Sequence, residues 1–268
     1  MIRQPAVAGQ FYEGLPDTLR KDVQSRLDPA AQKVDALGCV CPHAGFMYSG
    51  NVTGAVLSAI HVPKTVVVIS FSHRGRGERY AVWPTGAWKT PLGNVPVNEP
   101  LASRLLKGSS LLVADTETFA FEHSGEVMLP FLQVTRPDVD VVMVSVYPVS
   151  PLDDLETIGR EMAAALKQTE PRPLVLASTD MTHYAPAVTA EKQDGLAIRE
   201  MLRLDEAALY DVVRDNDISM CGVCPVVVAI ACVKELGATT ARLVRYENSG
   251  AATHNESSVV AYAGLIFQ

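Results

Sequence analysis

The chain has 268 residues, 48% hydrophobic and 20% charged, enough to bury a full core. A net charge of −7 and a pI of about 5.4 remove any global electrostatic reason to bind nucleic acid or an anionic membrane. No apolar run approaches the roughly 20 residues of a bilayer span. The opening MIRQPAVAGQFYEG lacks the apolar stretch of a signal peptide, so the expected setting is cytoplasmic, without a membrane partner. Five cysteines, an odd number, are expected to stay reduced there.

In chain order, the first strand signal is ALGCVC (36–41). It runs into CPHAG, where Pro42 stiffens the strand exit and Gly45 is expected to let the backbone turn tightly, presenting His43 at the sheet edge. A helical pattern covers 51–60. TVVVISFS (65–72) has the continuous β-branched character of a strand buried on both faces and leads into SHRG with His73. Residues 73–99, rich in Arg, Gly and Pro and holding both tryptophans, read as a long excursion. FEHSGE places His123 between Glu122 and Glu126, ahead of a helix over 124–134 in which Glu126 reads as a first-turn acid.

A strand over 139–149 and a helix over 152–168 follow, the helix with Leu152, Leu155, Ile158, Met162 and Leu166 on one face. PLVLAST (173–179) is the next strand, ending in TDMTHY with Asp180 and His183. The C-terminal third carries helices over 189–203, 205–215 and 224–236, then strands over 241–248 and 257–267. The last of these alternates like a sheet-edge strand with one solvated face. Strand-helix alternation without repeats or linkers predicts one α/β domain over 1–268, a largely parallel central sheet flanked by helices.

Of six histidines, three (His43, His73 and His183) lie just past strand ends. Ligands of open parallel sheets bind outside the carboxyl ends of the strands, so these three are expected to converge on one crevice. The cysteines allow several readings. Cys221 and Cys224 form a CxxC pair before the apolar helix VCPVVVAIACV, and with Cys39 and Cys41 they have the makings of a zinc ribbon. Alternatively, Cys221 faces the crevice and completes a His, His, Cys set suited to Zn(II), Cu or Fe, or it is a buried free thiol. Asp180 has three possible uses: orienting an imidazole, ligating metal beside two histidines, or N-capping a turn.

RQPAVAGQFY, PHAGFMYSG, FSHRG, WKTPLG, FEHSGEVMLPFLQ, ASTDMTHY, MCGVCP, RYENSG and SSVVAYAG, in this order over nearly the whole chain, resemble the Memo family, including the Memo-like component B of the prokaryotic AmmeMemoRadiSam system. That family is similar in fold to the class III extradiol dioxygenases, which hold Fe(II) with two histidines and a glutamate and use another histidine as acid-base. The resemblance implies His43 and His73 as metal ligands, His183 as the acid-base group, and Cys221 in the place of the dioxygenase glutamate, a substitution the Memo family shows. His123 and Asp180 are implied as further catalytic residues lining the crevice. Gly125 departs from the pattern, standing where larger apolar residues are usual, and is expected to loosen the helix start.

The resulting expectation is an iron- or copper-dependent oxidoreductase, zinc also fitting the donors, with a small-molecule or peptide ligand. A functional link to a radical-SAM protein and an Amme-domain protein is implied by the same resemblance. Two alternatives use the same residues. One is a non-catalytic peptide-binding module drawing on Arg74, Arg76 or Arg79. The other is a metal-free hydrolase with Cys221 as nucleophile and a histidine as base.

Overall fold

The structure, a computed structural model, describes residues 1–268. Strand β1 (Ile2–Arg3) is followed by α1 (Pro16–Arg26), β2 (Gly38–Cys41) and α2 (Phe46–Ser58), which starts five residues earlier than its apolar pattern predicts. After β3 (Thr65–Ser70), the expected excursion contains β4 (Tyr80–Val82) and the hairpin of β5 (Ala87–Thr90) and β6 (Gly93–Pro96). Helix α3 (Glu99–Gly108) is opened by Asn98, whose side chain accepts from the Leu101 amide at 3.1 Å, and β7 (Val113–Ala114) follows. A 3-10 turn (Glu126–Met128) leads into α4 (Leu129–Thr135), then β8 (Asp140–Val146), α5 (Leu152–Leu166) and β9 (Leu174–Ser178). The remainder is β10 (His183–Ala185), α6 (Ala187–Leu202), α7 (Glu206–Asp215), α8 (Val223–Glu235), β11 (Ala241–Asn248), α9 (Gly250–Thr253) and β12 (Val259–Phe267).

The main sheet has nine strands in the order β10-β12-β2-β9-β3-β8-β4-β7, with β11 paired to β12. Its centre, β2-β9-β3-β8, is parallel, as the continuous apolar runs predict. Its margins are not: β12 joins β2 and β4 joins β8 antiparallel, so the sheet is mixed. β1, β5 and β6 form a separate three-stranded sheet.

Helices cover both faces, and two glycines mark how closely. A Cβ on Gly38 would meet Val233 of α8 at 2.8 Å, and one on Gly264 would meet Val56 of α2 at 2.5 Å. Gly38 pairs with Phe267, so Gly264, an odd number of residues away on β12, points to the opposite face. One continuous cluster of 75 buried residues runs through both layers, which makes the chain one domain.

Strand β12 departs from expectation. It lies inside the sheet between β11 and β2 and is buried nearly throughout, while β11 is the partly exposed edge. Gly125 differs too: a Cβ there would lie 2.6 Å from Met143 Cε, so the missing side chain brings the helix start close to β8 instead of loosening it. No helix is long and apolar enough to cross a membrane, and the apolar 224–236 segment is the buried helix α8.

Candidate metal centre

The carboxyl ends of β2, β3 and β9 open onto one cavity of about 640 Å³. His43 comes from the β2–α2 turn, His73 from just after β3, and Asp180 and His183 from just after β9. The predicted convergence of His43, His73 and His183 is present, all three lining this cavity. His123 joins them from a segment well past the short strand β7, not from a strand end. The imidazoles of His43, His73 and His123 form a group whose ligand atoms all lie within 4.8 Å of one another, close enough to hold one metal ion. His73 and His123 stack with ring centroids 4.4 Å apart, and His43 stands edge-on to His73 at 5.2 Å.

Two of the rings are held from behind. His43 Nδ1 lies 2.8 Å from Ser178 Oγ, and that hydroxyl spends its proton on the Ser124 carbonyl at 2.6 Å. Ser178 Oγ must therefore accept from His43 Nδ1–H, which leaves the lone pair on His43 Nε2. His73 Nδ1 donates to Glu122 Oε1 at 2.8 Å, and its backbone N–H donates to Glu122 Oε2 at 2.7 Å. Glu122 Oε1 also accepts from the His123 and Ser124 amides at 2.9 and 2.8 Å. Burial alone would raise the Glu122 pKa, but the hydrogen bond and charge of His73, then His123 and the Ser124 amide, hold it down at about 2. Burial lowers the His123 pKa to about 4, and burial followed by the three neighbouring imidazoles lowers that of His43. Both rings are thus neutral near pH 7, the state that ligates metal.

Asp180 sits under this layer. Its Oδ1 accepts from the His43 amide at 2.7 Å and the Ala44 amide at 3.3 Å, so it fixes the turn that carries His43. Burial pushes its pKa up to about 6 against the His43 amide and the His183 charge. His183 Nδ1 lies 2.7 Å from the Met181 carbonyl and 3.0 Å from that of Ser219, which directs its proton there and leaves Nε2 as the acceptor. The next residue, Tyr184, has φ of 57°, a left-handed conformation costly for an aromatic residue.

Cys221 lies outside the three-histidine group but against it, Sγ 3.3 Å from His43 Nε2. Gly222 permits this approach: a Cβ there would stand 2.4 Å from the Ser178 carbonyl, and its amide donates to Thr179 Oγ1 at 2.9 Å. Burial, then the Asp180 charge, raises the Cys221 pKa well above the usual thiol range. The zinc-ribbon grouping does not form. Cys39 and Cys41 are buried in β2, and Cys224 Sγ lies 3.2 Å from the Pro148 carbonyl. Of the basic loop, the Arg79 guanidinium is engaged with the Tyr147 ring at 5.1 Å and the Val149 carbonyl at 3.3 Å.

Several contributors carry no clear local sequence signal. Ser178 is one small residue at a strand end, and Phe11, whose ring lies 4.7 Å from His123, comes from the N-terminal segment. Glu126 is not a simple first-turn acid. It is fully buried, pairs with Arg3, and accepts from the Ala6 and Val7 amides at 2.7 and 3.1 Å and from Tyr12 Oη at 2.6 Å.

A mixed α/β sheet with a histidine cluster at the carboxyl ends of its parallel strands defines the class of the protein. The Memo-like protein family profile matches residues 3–266, and the chain belongs to the Memo family. MEMO1 family proteins from Pyrobaculum aerophilum and Aquifex aeolicus are 36% and 38% identical to it, each alignment covering 99% of both chains. One from Methanosarcina barkeri is 37% identical over 100% of both. Among solved structures, an uncharacterised protein from Escherichia coli K12 shares the fold with a TM-score of 0.57 at 15% identity, covering 85% of this chain and 98% of the other.

Proposed function

We propose that this Memo family protein is an iron- or copper-dependent oxidoreductase acting on a small-molecule ligand in a dioxygenase-like pocket, in a reducing cytoplasmic setting. The observation that carries the reading is the group of His43, His73 and His123, two of whose Nδ1 positions are committed to fixed acceptors so that Nε2 carries the lone pair. Metal-ligating histidines are oriented in this way, and imidazole suits iron, copper and zinc alike. Cys221 adds a sulfur donor beside His43, which favours the softer ions once its proton is displaced. A bound iron or copper ion would supply electron transfer and Lewis acidity.

The chain's own groups do the rest. His183, held through Nδ1, takes a proton from the ligand at Nε2 and returns it. Asp180 fixes the His43 turn, and Phe11, Tyr48 and Tyr262 supply aromatic surface along the cavity wall. The implied link to radical-SAM and Amme-domain proteins belongs to this proposal as the source or destination of the ligand. The hydrolase alternative has a nucleophile–base distance in Cys221 and His43, but the raised thiol pKa works against the thiolate it needs.

Anaerobic reconstitution with Fe(II) and with Cu(I), followed by elemental analysis, tests the proposal. The wild type should retain one of these ions near stoichiometrically, the His43→Ala, Cys221→Ala double variant should lose it, and His123→Ala should bind it measurably but more weakly. Equal metal content in all three proteins would sink the reading.

A further inference from the structure

The segment from Arg3 to Tyr12 is held by a buried polar network that plays no part in the pocket chemistry described above. Arg3 is 4% exposed. Its Nε donates to the Phe119 carbonyl at 3.0 Å, Nη2 to the Glu122 carbonyl and Nη1 to Glu126, while the guanidinium lies 4.3 Å over the Trp88 ring. All three acceptors belong to the one segment, 119–126, that carries Glu122 and His123. Glu126 answers in the other direction, gathering the Ala6 and Val7 amides and the Tyr12 hydroxyl. Phe11, between these anchors, rests on the His123 ring, and its carbonyl accepts from the Phe46 amide at 2.7 Å at the start of α2, three residues beyond His43.

A buried ion pair is a costly way to join two segments, since well-packed apolar side chains of similar volume often stabilise as much or more. What the pair adds is geometry. A guanidinium has five donors in a rigid plane, and three acceptors spaced over eight residues must adopt one arrangement to satisfy it. His123 lies nine residues past the end of β7, so no ladder fixes its place as the sheet fixes those of His43 and His73.

We propose that Arg3 is a positioning residue for His123: with Glu126 it clamps the 119–126 segment to the N-terminal strap, and this clamp sets how tightly the three-histidine group binds metal. The inference rests on the metal reading of that group. It makes the chain's amino-terminal segment part of the metal site although none of its residues is a ligand.

The test uses the full chain and Co(II) as probe, followed by its visible absorption. Arg3→Lys and the apolar replacement Arg3→Met with Glu126→Leu are compared with wild type and His123→Ala, all checked for folding by circular dichroism and thermal melting. The clamp variants should bind Co(II) roughly 10- to 100-fold more weakly, the range typical of losing a group that orients a ligand. In the His123→Ala background the same substitutions should cost nothing further, because the effect runs through that imidazole. Unchanged affinity in folded variants, or losses that add to that of His123→Ala, would overturn the proposal. Should wild type bind no Co(II), the metal reading fails by itself, and amide hydrogen exchange decides the clamp. Faster exchange at 122–124 in Arg3→Lys, with β3 and β9 unchanged, supports it; unchanged exchange at 122–124 overturns it.

Discussion

Glu122→Gln removes one charge from the back of the metal centre while keeping volume and shape. The carboxylate accepts four hydrogen bonds, three at Oε1 and one at Oε2. A glutamine can keep its oxygen where three donors converge, but its NH2 must then face the His73 amide, leaving a buried donor without an acceptor. The magnitude follows from the pKa, held at about 2 in the folded protein against 4.5 for an ordinary glutamate. That difference corresponds to about 3 kcal/mol of stability from the ionised form, at a side chain only 3% exposed. Because the folded-state pKa is the lower one, this contribution is complete above pH 4.5 and is lost as pH falls towards 2. Urea unfolding of both proteins without metal should therefore show a gap of about 3 kcal/mol at pH 7 that narrows between pH 4.5 and 3. Co(II) affinity should fall roughly tenfold with it, since the acceptor of His73 Nδ1–H loses its charge. A variant within about 0.5 kcal/mol of wild type at pH 7, the range of an ordinary surface change, would refute the argument, as would a gap that does not vary with pH.

Ser178→Ala removes the acceptor of His43 Nδ1–H and should cost about 1–2 kcal/mol in urea unfolding, with roughly tenfold weaker Co(II) binding; an unchanged binding curve would contradict the assigned tautomer. Gly222→Ala puts a Cβ 2.4 Å from the Ser178 carbonyl and should lower stability by about 1–3 kcal/mol. The same variant should alkylate faster at Cys221, and wild-type melting and alkylation rates would count against the close approach. Asp194 accepts from the Thr182 amide at 3.0 Å, from its hydroxyl at 2.6 Å and from Tyr246 Oη at 2.7 Å, pinning the turn before His183. Asp194→Ala should cost about 2–3 kcal/mol and raise the exchange rate of the 182–184 amides, and protected amides there would show that β10 pairing alone holds His183.

The central strands were readable because helices cover both sheet faces, so β2, β3, β8 and β9 have almost no polar positions to confuse the pattern. Their ends located His43, His73 and His183 for the same reason. The alternation along β12, at Ala261, Tyr262 and Ala263, is one of small against large residues, not of solvated against apolar ones. Ala261, Ala263 and Gly264 are small because β12 is covered, and Gly264 lets α2 approach the sheet. Helix α1 buries only Leu19 and Val23, a single i,i+4 pair, so it offers too little periodicity to be seen. The short strands β4 to β6 lie among Arg, Gly and Pro residues; β5 and β6 form a local hairpin, but β5 also pairs with β1 and β4 pairs with β8, both distant in the chain.

The third histidine could not be placed by strand logic at all, because long-range polar bonds, not a strand end, bring the His123 segment to the site. A residue of that network was nevertheless visible. EVMLPFLQ is an otherwise apolar run that begins with a carboxylate, and a carboxylate drawn into a core must find donors or lose its charge. Glu126 finds a guanidinium, two amides and a phenol. Arg3 carries the complementary signal, a cation in a segment that pairs as β1 and is 4% exposed. Hydropathy periodicity assigns each residue a face, but it cannot pair charges 123 positions apart. The demand that every buried charge be answered can, and at Glu126 it leads from the apolar run back to the amino end of the chain and from there to His123.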